Sequence, residues 1–303
     1  MRSKNLVSLA AVAVALVLGA RTAAAQYPTT APVRPFVLPD LSGLTVIGLE
    51  FQGTWWNIPL PAPFQGEVDF KALTFDLDAE VSIAPHWVIL GRLPLSYASV
   101  STDSPQVPPQ FDVDCCELAL GNLTLGGRGL WSNVHGGDLR SVLGGELTVS
   151  VPTAADSGDG GQSAAFAAFS RAPHDPGRYA PNTTTIRLAA DLQLYSRWFM
   201  VQGEAGVHFF LYDTDDDDDS DVGLKLGLAA GVRATTEIAI LAELNALTDV
   251  DDDRGDDTVS SVDIGLRYGS QAFFASLRVY VPLDDNFRDL DMLGIGADLG
   301  LRF

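Results

Sequence analysis

The residues with chemistry in this chain are charged side chains set singly between apolar or glycine neighbours: Arg92, Arg128, Arg187, Asp191, Glu204, Lys225, Glu243, Arg267 and Arg278. Glu50, Asp76, Asp78, Glu80, Glu146, Arg233, Asp263, Asp298 and Arg302 share their parity. Carboxylates and guanidinium groups gathered on one face away from bulk water persist mainly when paired. Cross-strand pairs bracing a narrow polar interior are therefore expected for most of them, with a charged eyelet that screens solutes as the sharper alternative. The first nine, with His208, are the ten pore-lining candidates. Nucleophilic chemistry finds less support. His86, His135 and His174 fall in turns or loops, and His208 lies near Glu204 with no serine at a recognisable triad spacing. No catalytic residues and no enzymatic activity are expected; a barrel hydrolase is the second alternative.

Two acidic loops are the remaining clusters, Asp213–Asp221 and Asp249–Asp257. Hard cations take carboxylate oxygens, so Asp215, Asp217, Asp219, Asp251 and Asp253 are candidate ligands for Ca or Mg. Neither loop has the fixed spacing of a calcium-binding loop, and runs of like charge are usually solvated. No other cofactor is expected. Cys115 and Cys116 are adjacent, close only a strained ring, and lack metal spacing. The net charge of −20 repels polyanions and excludes nucleic acid as a partner.

What must position these side chains is a set of strands. From Leu293 the chain alternates Leu293, Ile295, Ala297, Leu299, Leu301 and Phe303 with Gly294, Gly296, Asp298, Gly300 and Arg302. Side chains alternate across a strand, so one face is apolar and the other small or charged. The pattern recurs, and strands are expected near 42–52, 70–83, 87–98, 117–131, 139–152, 183–195, 198–212, 221–233, 237–248, 258–268, 272–283 and 292–303. The first, and the start of the fourth, where Leu118 and Leu120 are out of phase with Leu123, carry the faintest pattern.

A soluble sandwich also alternates. Here, however, short links (84–86, 132–138, 196–197, 234–236, 269–271) alternate with mostly longer ones. Outward-parity aromatics gather at the short-link ends (Trp87, Trp131, Phe199, Tyr268, Phe273, Phe303) and opposite them (Phe51, Tyr97, Phe209). Short periplasmic turns, longer extracellular loops and two aromatic belts are features of an antiparallel transmembrane β-barrel of about twelve strands. Arg2 and Lys4, the apolar run Leu6–Leu18 and Ala23-Ala24-Ala25 read as a cleaved signal peptide. The expected organisation is thus 1–25 signal peptide, 26–41 Pro-rich periplasmic lead-in or partial plug, and 42–303 barrel. The terminal Phe303 fits the signal read by barrel-assembly machinery, and outer-membrane lipid and lipopolysaccharide are the surrounding partners.

Three short pieces carry a resemblance: Gly121-Asn122-Leu123-Thr124-Leu125-Gly126-Gly127-Arg128, Val149-Ser150-Val151-Pro152-Thr153, and Val279-Tyr280-Val281-Pro282-Leu283. With the strand order over 42–303 they resemble the outer-membrane transporter family of the meta pathway of phenol degradation. That resemblance implies passive uptake of small, often apolar or aromatic, solutes across the outer membrane of a Gram-negative bacterium, and no catalytic residues transfer from it. A structural or adhesive surface barrel is the alternative. In the longest link, 153–182, Phe166 and Phe169 lie three apart. The link either folds into the mouth, with those rings as a constriction, or waves outside. Trp55 and Trp56 fall in the first external loop and either bind an apolar solute or sit in the interface.

Overall fold

The structure, a computed structural model, describes residues 35–59, 67–102, 117–213, 220–250, 258–270 and 272–303. Twelve long strands form one antiparallel sheet: β1 (Val46–Pro59), β2 (Glu67–Ala84), β3 (Trp87–Thr102), β4 (Leu123–Val134), β5 (Arg140–Val151), β6 (Thr183–Tyr195), β7 (Phe199–Tyr212), β8 (Ser220–Arg233), β9 (Ile238–Asp249), β10 (Thr258–Gly269), β11 (Phe273–Pro282) and β12 (Leu293–Arg302). Sequence neighbours pair throughout. β1 closes on β12, from Val46↔Arg302 to Trp55↔Leu293. Closure leaves no sheet edge, which lets strands stand in hydrocarbon with their backbone groups satisfied.

Polarity follows the pleat. On β2, Thr74, Asp76, Asp78, Glu80 and Ser82 are buried while Leu77 and Ile83 are exposed. On β12, Leu293, Ile295, Leu299 and Leu301 are exposed while Asp298 and Arg302 are buried. Apolar side chains thus point outward and charged ones inward, the reverse of a soluble barrel. Trp87 and Trp131 meet edge-on at 6.4 Å and Tyr268 tilts on Phe273 at 6.3 Å, all on the outside near the short turns. The chain has the fold of an outer-membrane β-barrel.

The sequence reading and the structure part at two places. β1 runs to Pro59, so Trp55 and Trp56 lie on a strand, not in a loop. Trp55 points outward and Trp56 is buried inward. Second, the strand expected at 117–131 is broken: Ala119–Leu120 bridges to Leu95 and Ser96 on β3, and β4 starts at Leu123. The break is held by Asn122. Its amide donates to the carbonyls of Gly177 and Ala180, both at 2.8 Å, and its Oδ1 accepts from Thr153 and Ala154 N–H at 3.0 and 2.9 Å. Gly121 is needed beside it, because a Cβ there would lie 2.6 Å from the Arg178 carbonyl oxygen.

Of the two alternatives for link 153–182, the folded one holds. The link carries helix α1 (Gly158–Ser170) and a 3-10 turn at Pro176–Arg178. The Ala-rich run favours helix, and Pro173 follows shortly after its end. Buried Ser163, Ala164, Ala167 and Ser170 fall at helical spacing and form a small-residue face. That face lets α1 approach the wall closely: Ala98 N–H of β3 donates to Ser163 Oγ at 3.3 Å. A second short helix, α2 (Asp285–Arg288), is capped by Asp284, which accepts from Phe287 N–H at 3.1 Å.

Candidate functional site

The inward charges form a belt of ion pairs. One alternating chain joins residues of five strands: Arg128 reaches Glu80 at 3.3 Å and Glu146 at 2.5 Å, and Arg187 reaches Glu146 at 2.6 Å and then Glu204. Arg92 pairs with Asp78 at 3.2 Å and Arg267 with Asp298 at 2.9 Å. Arg278 meets Glu50 at 2.7 Å, Asp263 at 3.2 Å and Asp298 at 3.5 Å. All of these arginines are buried. Asp191 accepts from Gln202 at 3.4 Å, while His208 is buried with its ring 5.8 Å from Phe210 and neither ring nitrogen hydrogen-bonded.

Two segments that are not wall lie inside this belt. Residues 35–45, ahead of β1, enter at the short-turn end. Phe36, Leu38 and Leu41 pack with Val88, Leu90, Leu130, Val142, Tyr195, Met200 and Leu241 as one buried apolar cluster. Glu243 accepts from the backbone N–H of Phe36, from Val37 at 2.9 Å and from Leu38 at 3.4 Å. Arg128 donates to the Asp40 carbonyl at 2.6 Å, Gln202 to Pro39 at 3.1 Å and Arg267 to Pro35 at 2.8 Å. Leu38 fills the notch over Gly227, where a Cβ would lie 2.4 Å from its Cδ2.

The second segment, 171–179, descends from α1 at the opposite end. Arg171 donates to Glu50 at 2.7 Å and Gln52 at 2.6 Å. Arg178 donates to Asp76 at 3.1 Å and to Asp175 at 2.9 Å, and Tyr179 O–H donates to Asp76 at 2.8 Å. Lys225 donates to the carbonyls of Pro173, at 3.3 Å, and His174. Burial lowers the His174 imidazole to about 4, against the pull of Asp263. Above the segment, Trp56 stacks on Phe70 at 5.3 Å and meets Phe166 and Phe169 at 6.1 and 5.5 Å, while Phe169 tilts on Phe287 at 4.7 Å. The lumen is thus layered: an apolar cluster below, a charged belt, and an aromatic cluster at the mouth.

All ten pore-lining candidates are buried in the interior. Phe166 and Phe169 are brought together with Trp56 on the mouth cluster; the residues reaching deepest into the charged belt are Arg171, His174, Asp175, Arg178 and Tyr179, which sequence reasoning missed. A signal existed. β2 places Asp76, Asp78 and Glu80 at three successive inward positions, more acid than Arg92 on its neighbour β3 can match, so bases had to come from elsewhere. His174 Nε2 takes both Asp263 Oδ2, at 2.9 Å, and Ser261 Oγ, at 3.3 Å. A serine relay instead needs acid and serine on opposite ring nitrogens. Among the described residues no group of three or more His, Cys, Asp and Glu is arranged to hold a metal ion. Asp215, Asp217, Asp219, Asp251 and Asp253, with Cys115 and Cys116 and the segment 1–34, lie outside the described residues.

No protein-family model matches the chain, and no curated protein matches it. Solved structures do. An outer membrane channel from Pseudomonas putida is similar at 11% identity and a TM-score of 0.58, over 90% of this chain and 100% of that one. The translocator domain of the autotransporter NalP from Neisseria meningitidis gives 8% identity and 0.46 over 86% and 88%. The NanC porin gives 9% and 0.44 over 84% and 98%. The first likeness shows a shared barrel fold, and the other two are too loose to bear on function.

Proposed function

We propose that this chain is an outer-membrane channel of a Gram-negative bacterium, exported by a cleaved signal peptide, that takes up small apolar or aromatic solutes passively and rests closed. The observation that carries this reading is the content of the lumen. A twelve-strand barrel encloses more space than wall side chains alone fill. Here chain segments 35–44 and 171–179 occupy it from the two ends, held mainly by contacts with wall side chains. Segments so attached leave without breaking the wall. The aromatic cluster of Trp56, Phe70, Phe166 and Phe169 at the mouth offers apolar surface to a solute and hinders wetting, which favours apolar solutes over ions. The paired belt braces the wall once a segment has moved.

Bilayer recording of the refolded chain tests this, together with a variant lacking 171–179 and one lacking 35–41. Small or rare conductance steps are expected from the full chain and larger, discrete steps from either deletion, with faster entry of a monocyclic aromatic into proteoliposomes. Deletion variants that fold yet neither conduct nor admit solute would leave the structural or adhesive surface barrel as the better reading. That alternative draws its support from the acidic loops.

A further inference from the structure

We propose that Arg278 couples the two closures, so that seating of loop 171–179 tightens the hold on segment 35–41, and the reverse. The inference rests on reading both segments as closures. Arg278 is completely buried on β11, contacts the first segment directly and meets the second through shared acceptors. Towards the N-terminal segment its Nη1 donates to the Phe36 carbonyl at 3.4 Å, and its guanidinium lies 5.9 Å from the centre of the Phe36 ring. Towards the loop it shares three acceptors with loop residues. Its Nη2 donates to Glu50 Oε1 at 2.7 Å and Gln52 Oε1 at 3.2 Å, and Arg171 donates to the same two oxygens at 2.7 and 2.6 Å. Its Nε faces Asp263 Oδ1 at 3.2 Å, while His174 bonds the other oxygen of that carboxylate at 2.9 Å.

The sign follows from competition. With the loop seated, Glu50 and Gln52 are divided between two guanidinium groups, and Asp263 between a guanidinium and an imidazole. When the loop leaves, those acceptors lose one donor each and close on the one that remains. Arg278 is drawn towards β1 and β10, and the long contacts of its Nη1, to the Phe36 carbonyl at 3.4 Å and to Asp298 at 3.5 Å, are given up first. Two ligand-like segments that each favour one position of a shared side chain are coupled, and the coupling is reciprocal.

Hydrogen exchange of the full-length protein, refolded in micelles and read by mass spectrometry on peptides covering 35–41 and 171–180, tests this without reference to conductance. Arg171→Ala with His174→Ala should accelerate exchange at 35–41 by roughly fivefold or more. In an Arg278→Met background the same loop substitutions should add nothing; Arg278→Lys, which cannot span the three acceptors, serves if that chain fails to close. Glu243→Gln, which loosens the N-terminal segment, should accelerate exchange at 171–180 by a matching factor and lose that effect in the same background. Equal acceleration in both backgrounds would mean solvent entry alone links the ends, and would overturn the proposal, as would no acceleration at all. A chain that never conducts but passes this cycle would refute the channel and leave the coupling intact.

Discussion

Asp76 is the single wall residue on which the loop depends most, and Asp76→Asn isolates its charge. The carboxylate accepts from Arg178 at 3.1 Å and from Tyr179 at 2.8 Å, and lies 3.6 Å from Arg171. The amide keeps the volume and still accepts from Tyr179, but two buried guanidinium groups lose a counter-charge. Breaking a buried pair costs about 3–5 kcal/mol. The lower end applies, because Arg178 keeps Asp175 at 2.9 Å and Arg171 keeps Glu50 at 2.7 Å. A loss of about 3 kcal/mol raises the unseated population roughly 150-fold. Arg171 and Arg178 are both buried, so trypsin reaches their peptide bonds only when the loop is out. With reseating faster than cleavage, the cleavage rate tracks that population. Trypsin digestion of the refolded protein should therefore show cleavage after Arg171 or Arg178 rising by about two orders of magnitude, with the heat-modifiable barrel band unchanged. Cleavage within threefold of the parent chain would refute the claim that Asp76 seats the loop.

Other outcomes follow from the same contacts. Gly121→Ala sets a Cβ against the Arg178 carbonyl, 2.6 Å away, and should expose the same trypsin sites while sparing β4 and β5, read as exchange protection of their amides. His174 titrates near 6.5 when unseated and near 4 when seated, so the seated form excludes a proton that the unseated form takes up. The contribution is present above pH 6.5 and is lost as pH falls towards 4, about 3 kcal/mol in all; single-channel conductance should rise over that window, and less so in His174→Gln. Tags at residues 216 or 253 should be reachable on intact cells and tags at 135 or 270 should not; the reverse labelling would invert the orientation. Deleting Phe303 should lower outer-membrane levels far more than it changes the melting of refolded protein, and normal levels would count against its role in assembly.

The sequence by itself determined the wall. Period-two alternation is a local property, since successive side chains on an extended chain must face opposite ways. Leu293–Phe303 or Ile186–Leu194 therefore announce both their strand and which side meets lipid. Link lengths and the aromatic positions then set strand number and order, and the ten inward candidates came directly from parity. What fills the wall was a tertiary decision. Arg171 and Arg178 stand in a loop with no period to assign them a face, and they were placed by the acids Glu50 and Asp76, more than 90 residues earlier in the chain. Phe36, Leu38 and Leu41 likewise reach their cluster because a closed barrel turns inward-facing Val88, Leu130 and Leu241, from distant strands, into one apolar surface. Burying such surface takes whichever free segment can reach it. Only closure of β1 on β12 brings surface and segment together.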